Sequence, residues 1–197
     1  RELARIWSER DPAAIFSRLS TWGLLAAIHP RLEWRGRLSR SIRRGQRLRA
    51  TWEAARSPEL MLALAAATLH GSARAKLWDR LALAGRGRRL LLLAAAAPAR
   101  AARLGRSYRD ASEAASWPPL VLLTVFAAGT PSATARIRAL RRSWIGAIPR
   151  LGAADLLREG IPEGPRLGRM LEELRRARFG GKTRNRGDEL RRIRSRS

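Results

Sequence analysis

The chain has 197 residues, and 41 Lys and Arg against 16 Asp and Glu give it a formal charge of +25 and an isoelectric point near 12.0. It contains no cysteine, which excludes disulfides and thiolate metal sites and is compatible with a reducing compartment, the cytoplasm or the mitochondrial matrix. No apolar run reaches the ~20 residues that a membrane-crossing helix needs, and with no signal or transit segment visible and Arg1 at the start, a processed, trimmed or partial chain is expected.

A chain of this length buries about 70% of the surface that its unfolded form exposes, so a hydrophobic core is within reach without staples. All of its cations except Lys76 and Lys182 are arginine, the side chain suited to bidentate phosphate contacts and to stacking on bases. A GC-rich genome favours Arg and Ala codons and accounts for Arg over Lys. It does not account for so few acids, and a polyanionic partner is expected rather than a membrane.

In chain order, residues 2–8 are apolar at Leu3, Ile6 and Trp7 and read as the end of a helix. Asp11 is a good N-cap, and Pro12 opens a helix through Ile15, Leu19 and Trp22 that Gly23 closes. A short apolar turn, 24–28, stops at His29 and Pro30; His29 reads as a hydrogen-bonded turn residue, since no carboxylate or cysteine stands at ligand spacing. Across 38–56, Leu38, Ile42, Leu48 and Trp52 alternate with arginines, which predicts a helical pair or a bent helix with a cationic outer side. Ser57 and Pro58 start a helix to His70 that is apolar nearly all round, a candidate for the buried centre, with His70 complementing its C-terminal dipole.

Residues 73–84 form another amphipathic helix, which Gly85 to Gly87 break. The apolar helix 88–97 is stopped by Pro98; residues 99–108 continue with Arg100, Arg103 and Arg106, and 111–116 are small and polar. After Trp117, Pro118 and Pro119, residues 120–128 read as buried helix, and 132–144 as a basic helix. No segment alternates with period two, so strands are not predicted; the expectation is all-α, with about eight to ten helices in antiparallel pairs.

The stretch 152–179 carries most information. Leu167, Met170, Leu171 and Leu174 repeat at i, i+3, i+4, i+7, one helical face that needs something to pack against. Before it, Asp155, Leu156, Leu157 and Ile161 make a short apolar turn ended by Gly160 and Pro162, and Gly164 and Pro165 restart the chain as a helix. Such punctuation either joins two helices or, with free N–H groups at a helix start facing a tight loop, holds an anion.

Taken together, Gly152, Asp155, Leu156, Leu157, Gly160, Ile161, Gly164, Pro165, Leu167 and Gly168 resemble the C-terminal part of the class II tRNA nucleotidyltransferase and poly(A) polymerase family. The match continues through Ala177, Arg178, Gly181, Thr183, Arg184, Glu189 and Leu190, and the stretch 23–34 resembles the family's Ile-His-Pro turn. The chain departs from the pattern at Gly180, where members have Asp, and at Asn185, Arg186 and Gly187, which read as an insertion. The resemblance implies an all-α multi-helix bundle like the family's body and tail, with 1–150 a body-like RNA-binding domain and 151–197 a tail-like segment with a basic C-terminus. In the family those parts hold the acceptor and TΨC arms of tRNA.

Members carry their metal-binding aspartates on a strand in an N-terminal head. Here no Asp-x-Asp occurs among Asp11, Asp79, Asp110, Asp155 and Asp188, so no catalytic residue, metal site or cofactor is expected in this chain. Whether the chain belongs to an enzyme stays open; if it does, the enzyme is a tRNA nucleotidyltransferase.

Candidate RNA contacts fall in three groups: Arg35, Arg37, Arg40, Arg43, Arg44 and Arg47; then Arg136, Arg138, Arg141 and Arg142; then Arg175, Arg176, Arg178, Lys182, Arg184, Arg186, Arg191, Arg192, Arg194 and Arg196. Arg166 joins them at the start of the 165–179 helix. The bland alternative for each group is a solvated helix face, and the last run is expected to order only on RNA. The expected partner is therefore tRNA or rRNA. The chain is either a non-catalytic module, alone or within a ribonucleoprotein such as an organellar ribosome, or the C-terminal portion of a CCA-adding or poly(A) polymerase-type enzyme whose head lies on another segment or chain.

Overall fold

The computed structural model describes residues 2–81 and 85–195, and among them every regular element is helical. Thirteen α-helices are present: α1 Glu2–Ser8, α2 Pro12–Thr21, α3 Leu24–Ile28, α4 Gly36–Leu48, α5 Pro58–Ala67, α6 Ser72–Arg80, α7 Gly85–Arg103, α8 Tyr108–Ser116, α9 Pro119–Ala128, α10 Pro131–Gly146, α11 Ala153–Arg158, α12 Pro165–Phe179 and α13 Arg186–Arg194. A 3-10 turn, Glu53–Arg56, lies between α4 and α5. The all-α expectation holds, with more and shorter helices than expected. Arg196 and residues 82–84 lie outside the described residues. No single described helix is long and apolar enough to cross a membrane.

Local chemistry sets many boundaries. Asp11 accepts the Ala14 N–H at 3.1 Å and Pro12 begins α2. His29 is extended, and its Nδ1 accepts the Arg31 N–H at 3.1 Å, the turn role expected of it. Several boundaries differ from expectation: Gly85 to Gly87, expected as a break, form the first turn of α7, and the helix expected to reach His70 ends at Ala67. Pro98 lies inside α7, which continues to Arg103 because Ala101 and Leu104 beyond it are buried in the core; burial there outweighs the roughly 3 kcal/mol cost of an interior proline. The small, polar 111–116 stretch is helical in α8, with Ala111 and Ala114 buried.

The chain divides into two units: 1–104 with 117–136, and 105–116 with 137–197. At the centre of the first unit is α9, whose Leu120, Val121, Leu122, Leu123, Thr124, Val125 and Ala127 are all buried. Around it pack α4, α5 and α7, while α5 also meets α1. Thr124 satisfies its hydroxyl in this apolar setting by donating to Leu120 O at 2.8 Å. At α4, Gly45 lets the helix approach α5 closely: a Cβ there would stand 2.7 Å from Leu64 Cδ1 and 3.0 Å from Trp7 Cη2.

In the second unit, the apolar face of α12 finds its partners. Met170 and Leu174, flanked by Leu167 and Leu171, pack with Leu151, Leu156, Ile161 and Ile193. Gly160 (φ 82°) and Gly164 (φ 119°) make the two turns that bring α11 and α12 together, conformations that a Cβ disfavours. The basic tail is ordered as α13, where Asn185 Oδ1 accepts the Asp188 N–H at 2.9 Å. This corrects the expectation that it orders only on RNA: Arg186, Arg191 and Arg194 already have carboxylate partners in Asp155, Asp188 and Glu159.

Candidate functional site

The three arginine groups have different fates. Those on α4 stay available. Its charged residues are Arg37, Arg40, Arg43, Arg44 and Arg47, with no acid among them, and among the described residues none has a carboxylate partner. Arg35, just before the helix, pairs loosely with Glu33 at 3.7 Å, both well exposed. Arg43 lies 6.0 Å from the Trp34 ring centre. Arg49, beyond the helix, is committed elsewhere, donating to Glu9 O at 3.0 Å and lying over Trp7.

Three of these arginines, Arg37, Arg40 and Arg44, follow one another at spacings of three and four, a single helical stripe. They border a cleft of about 560 Å³ together with His70, from the segment that links α5 to α6, and Arg74 of α6. Sequence reasoning missed the last two as site residues. Arg74 is half-buried, and burial lowers its pKa below the ordinary arginine value; it is held by Ala66 O at 3.1 Å and Leu69 O at 2.7 Å. Arg44 Nη1 donates to Gly129 O at 3.2 Å, and Arg37 Nη1 stands 3.4 Å from His70 Nε2. Among the described residues, no acidic one lines this cleft.

In the second group, two members cap helices. Arg136 donates to Ala102 O at 2.9 Å and Leu104 O at 2.7 Å, at the end of α7. Arg141 does the same for Ala114 O and Ala115 O at the end of α8. Arg138 and Arg142 are exposed.

Most of the third group is tied into the second unit. Arg175 lies 3.7 Å from the Trp144 ring centre, and Arg176 lies 5.3 Å from that of Tyr108 while pairing with Glu172 at 3.6 Å. Tyr108 is packed against Trp144 and Phe179, and burial, reinforced by Glu172, pushes its hydroxyl up to about 12. Arg178 meets the buried Glu189 at 3.4 Å. Arg186 and Arg158 share Asp155, whose pKa is lowered first by the Gly152 N–H and then by those charges. Arg191 pairs with Asp188, and Arg194 grips Glu159 through two bonds of 2.9 Å and 3.0 Å. Lys182 and Arg192 border a small groove beside Arg176; Arg184 and Arg166 are exposed.

No protein-family model matches the chain, and no curated protein does. Two solved structures do. A CCA-adding enzyme in its apo form II superposes with a TM-score of 0.63 at 14% identity, over 100% of this chain and 48% of that one. A CCA-adding enzyme with ATP gives 0.63 and 14%, over 98% and 49%. The chain thus spans about half the length of the enzyme chains it matches, and its all-α fold is tRNA nucleotidyltransferase-like.

Proposed function

We propose that the chain is a non-catalytic RNA-binding module derived from a tRNA nucleotidyltransferase-like protein. Residues 1–150 act as a body-like RNA-binding part and 151–197 as a tail-like part. The ligand is a structured RNA, tRNA or rRNA, held by the chain alone or as part of a ribonucleoprotein such as an organellar ribosome. The observation that carries this reading is α4: five arginines, no acid on the helix and no described carboxylate facing any of them. Most paired cations in the second unit have already exchanged water for a partner. Those on α4 have no described carboxylate to give up before they neutralise phosphates and release counterions. A helix bearing five uncompensated charges is costly to keep without a polyanion to meet it.

A second reading is supported by the coverage of about half of each CCA-adding enzyme chain: a C-terminal tRNA-holding portion of a CCA-adding or poly(A) polymerase-type enzyme whose head lies elsewhere. One experiment tests both. The purified chain is mixed with tRNA at low salt, with and without CTP, ATP and Mg²⁺. A mobility shift with no 3′ extension supports the module; extension by this chain alone overturns it, and no shift overturns both readings. The coding sequence 5′ of the Arg1 codon bears on the choice: paired aspartates on a strand there support the second reading with its head on the same chain.

A further inference from the structure

The cleft beside α4 is chemically two-sided. Arg37, Arg40 and Arg44 supply donors from α4, while α7 contributes Ala95, Pro98, Ala99 and Ala102, side chains with little more than a methyl group or a ring to offer. Both α4 and α7 pack on α9, and the cleft opens at that helix's C-terminal end, beside Ala128 and Gly129. Two of its cations are fixed in advance. Arg44 is held by Gly129 O, and Arg74 by Ala66 O and Leu69 O. Arg40 is exposed and has no described carboxylate partner, and Arg37 has only the imidazole of His70, a contact it can exchange for an anion.

A bare phosphate would leave most of about 560 Å³ empty, while a volume of this size is ordinary for a small organic ligand. Guanidinium forks match phosphate oxygens, and a smooth surface of Cβ atoms suits a planar ring by dispersion and water release. We propose that this cleft takes one nucleotide unit, with its phosphate on Arg37 and Arg40 and its ribose and base against the alanine and proline side chains of α7. The proposal deepens the RNA-binding reading and rests on it only for choosing a nucleotide as the phosphorylated ligand. That nucleotide comes either from solution or from an RNA strand turned into the cleft.

The test is calorimetric titration of the full chain, at low salt, with adenosine 5′-monophosphate, adenosine and inorganic phosphate. The monophosphate is expected to bind at least about tenfold more tightly than either fragment, since both sides of the cleft contribute. Arg40→Ala is expected to weaken it about tenfold or more by removing a charge-assisted bond. Ala99→Leu changes no charge, occupies the apolar side and is expected to weaken the monophosphate as well. Arg18→Ala, an equal loss of charge at an exposed position on α2, leaves it unchanged; circular dichroism confirms that each variant is folded. Transfer RNA binding by Ala99→Leu separates the sources: weakened binding assigns the cleft to a nucleotide of the strand, unchanged binding to a free nucleotide. Phosphate binding as tightly as the monophosphate, or indifference of the monophosphate to Arg40→Ala and Ala99→Leu, overturns the proposal. If wild-type tRNA binding persists in that case, the RNA-binding reading survives; if tRNA fails to bind while the monophosphate does, only that reading falls.

Discussion

The carboxylate of Glu189, with no solvent exposure, lies 3.4 Å from the guanidinium of Arg178. It also accepts the Arg150 and Leu151 N–H groups, each at 2.9 Å, so that one buried charge closes the segment between α10 and α11 onto α13. Removing either partner strands the other in a low dielectric. Glu189→Ala and Arg178→Ala are each expected to cost about 3 kcal/mol or more, read from denaturant unfolding. A loss below about 1 kcal/mol contradicts this account of the pair.

His29 gives a pH dependence. Burial, then the charges of Arg31 and Lys76, hold its pKa below the ordinary 6.5, and its Nδ1 accepts a backbone N–H only while unprotonated. Because the folded pKa is depressed, the stabilisation is present above pH 6.5 and is lost as pH falls through the folded value. The melting temperature is expected to decline from about pH 7 toward pH 5.5, and His29→Asn, which keeps an acceptor in place of Nδ1, to flatten that decline. An unchanged slope in the variant would assign the decline to other groups.

Gly45→Ala sets two effects against each other. Alanine gains up to about 1 kcal/mol in helix propensity, but overpacking a core costs about 1–3 kcal/mol. The added methyl would meet Leu64 Cδ1 at 2.7 Å, and both Leu64 and Trp7 are fully buried, Trp7 also being fixed by its bond to Ala55 O. Overpacking is expected to prevail, lowering stability by about 1 kcal/mol in urea unfolding, whereas a stabilised variant would show that α4 and α5 move apart easily.

The arginine groups should contribute unequally to RNA affinity. Arg191 and Arg194 are paired with Asp188 and Glu159, and to meet a phosphate they must first give up those partners. In filter binding with tRNA, Arg191→Ala with Arg194→Ala is expected to weaken affinity less than Arg43→Ala with Arg47→Ala, although two charges are lost in each case. The reverse order would place the RNA on the tail.

Features governed by near neighbours were readable in the chain. Asp11 with Pro12, the His29 turn, the α12 stripe and the glycines at 160 and 164 each act within a few residues. Features set by distant packing were not. Pro98 looked like a stop because its cost is local, while the burial of Ala101 and Leu104 that outweighs it is tertiary. Arg136 and Arg141 looked like ligands for phosphate because the carbonyls they cap lie 26 or more residues away. The spacing of Arg37, Arg40 and Arg44 was visible, but nothing near them in sequence announced that Arg74 and the alanines of α7 complete a cleft.

The central claim is that α4 meets RNA through uncompensated arginines. Its most direct test is the affinity of the full chain for tRNA between 50 and 200 mM salt, compared with Arg37→Ala, Arg40→Ala, Arg43→Ala and Arg47→Ala combined. Contact with about 6–10 phosphates predicts a loss of about 10³ to 10⁵ in affinity over that range for the wild type, and a slope shallower by about four phosphate contacts in the variant. Wild-type affinity insensitive to salt, or an identical slope in the variant, contradicts the claim.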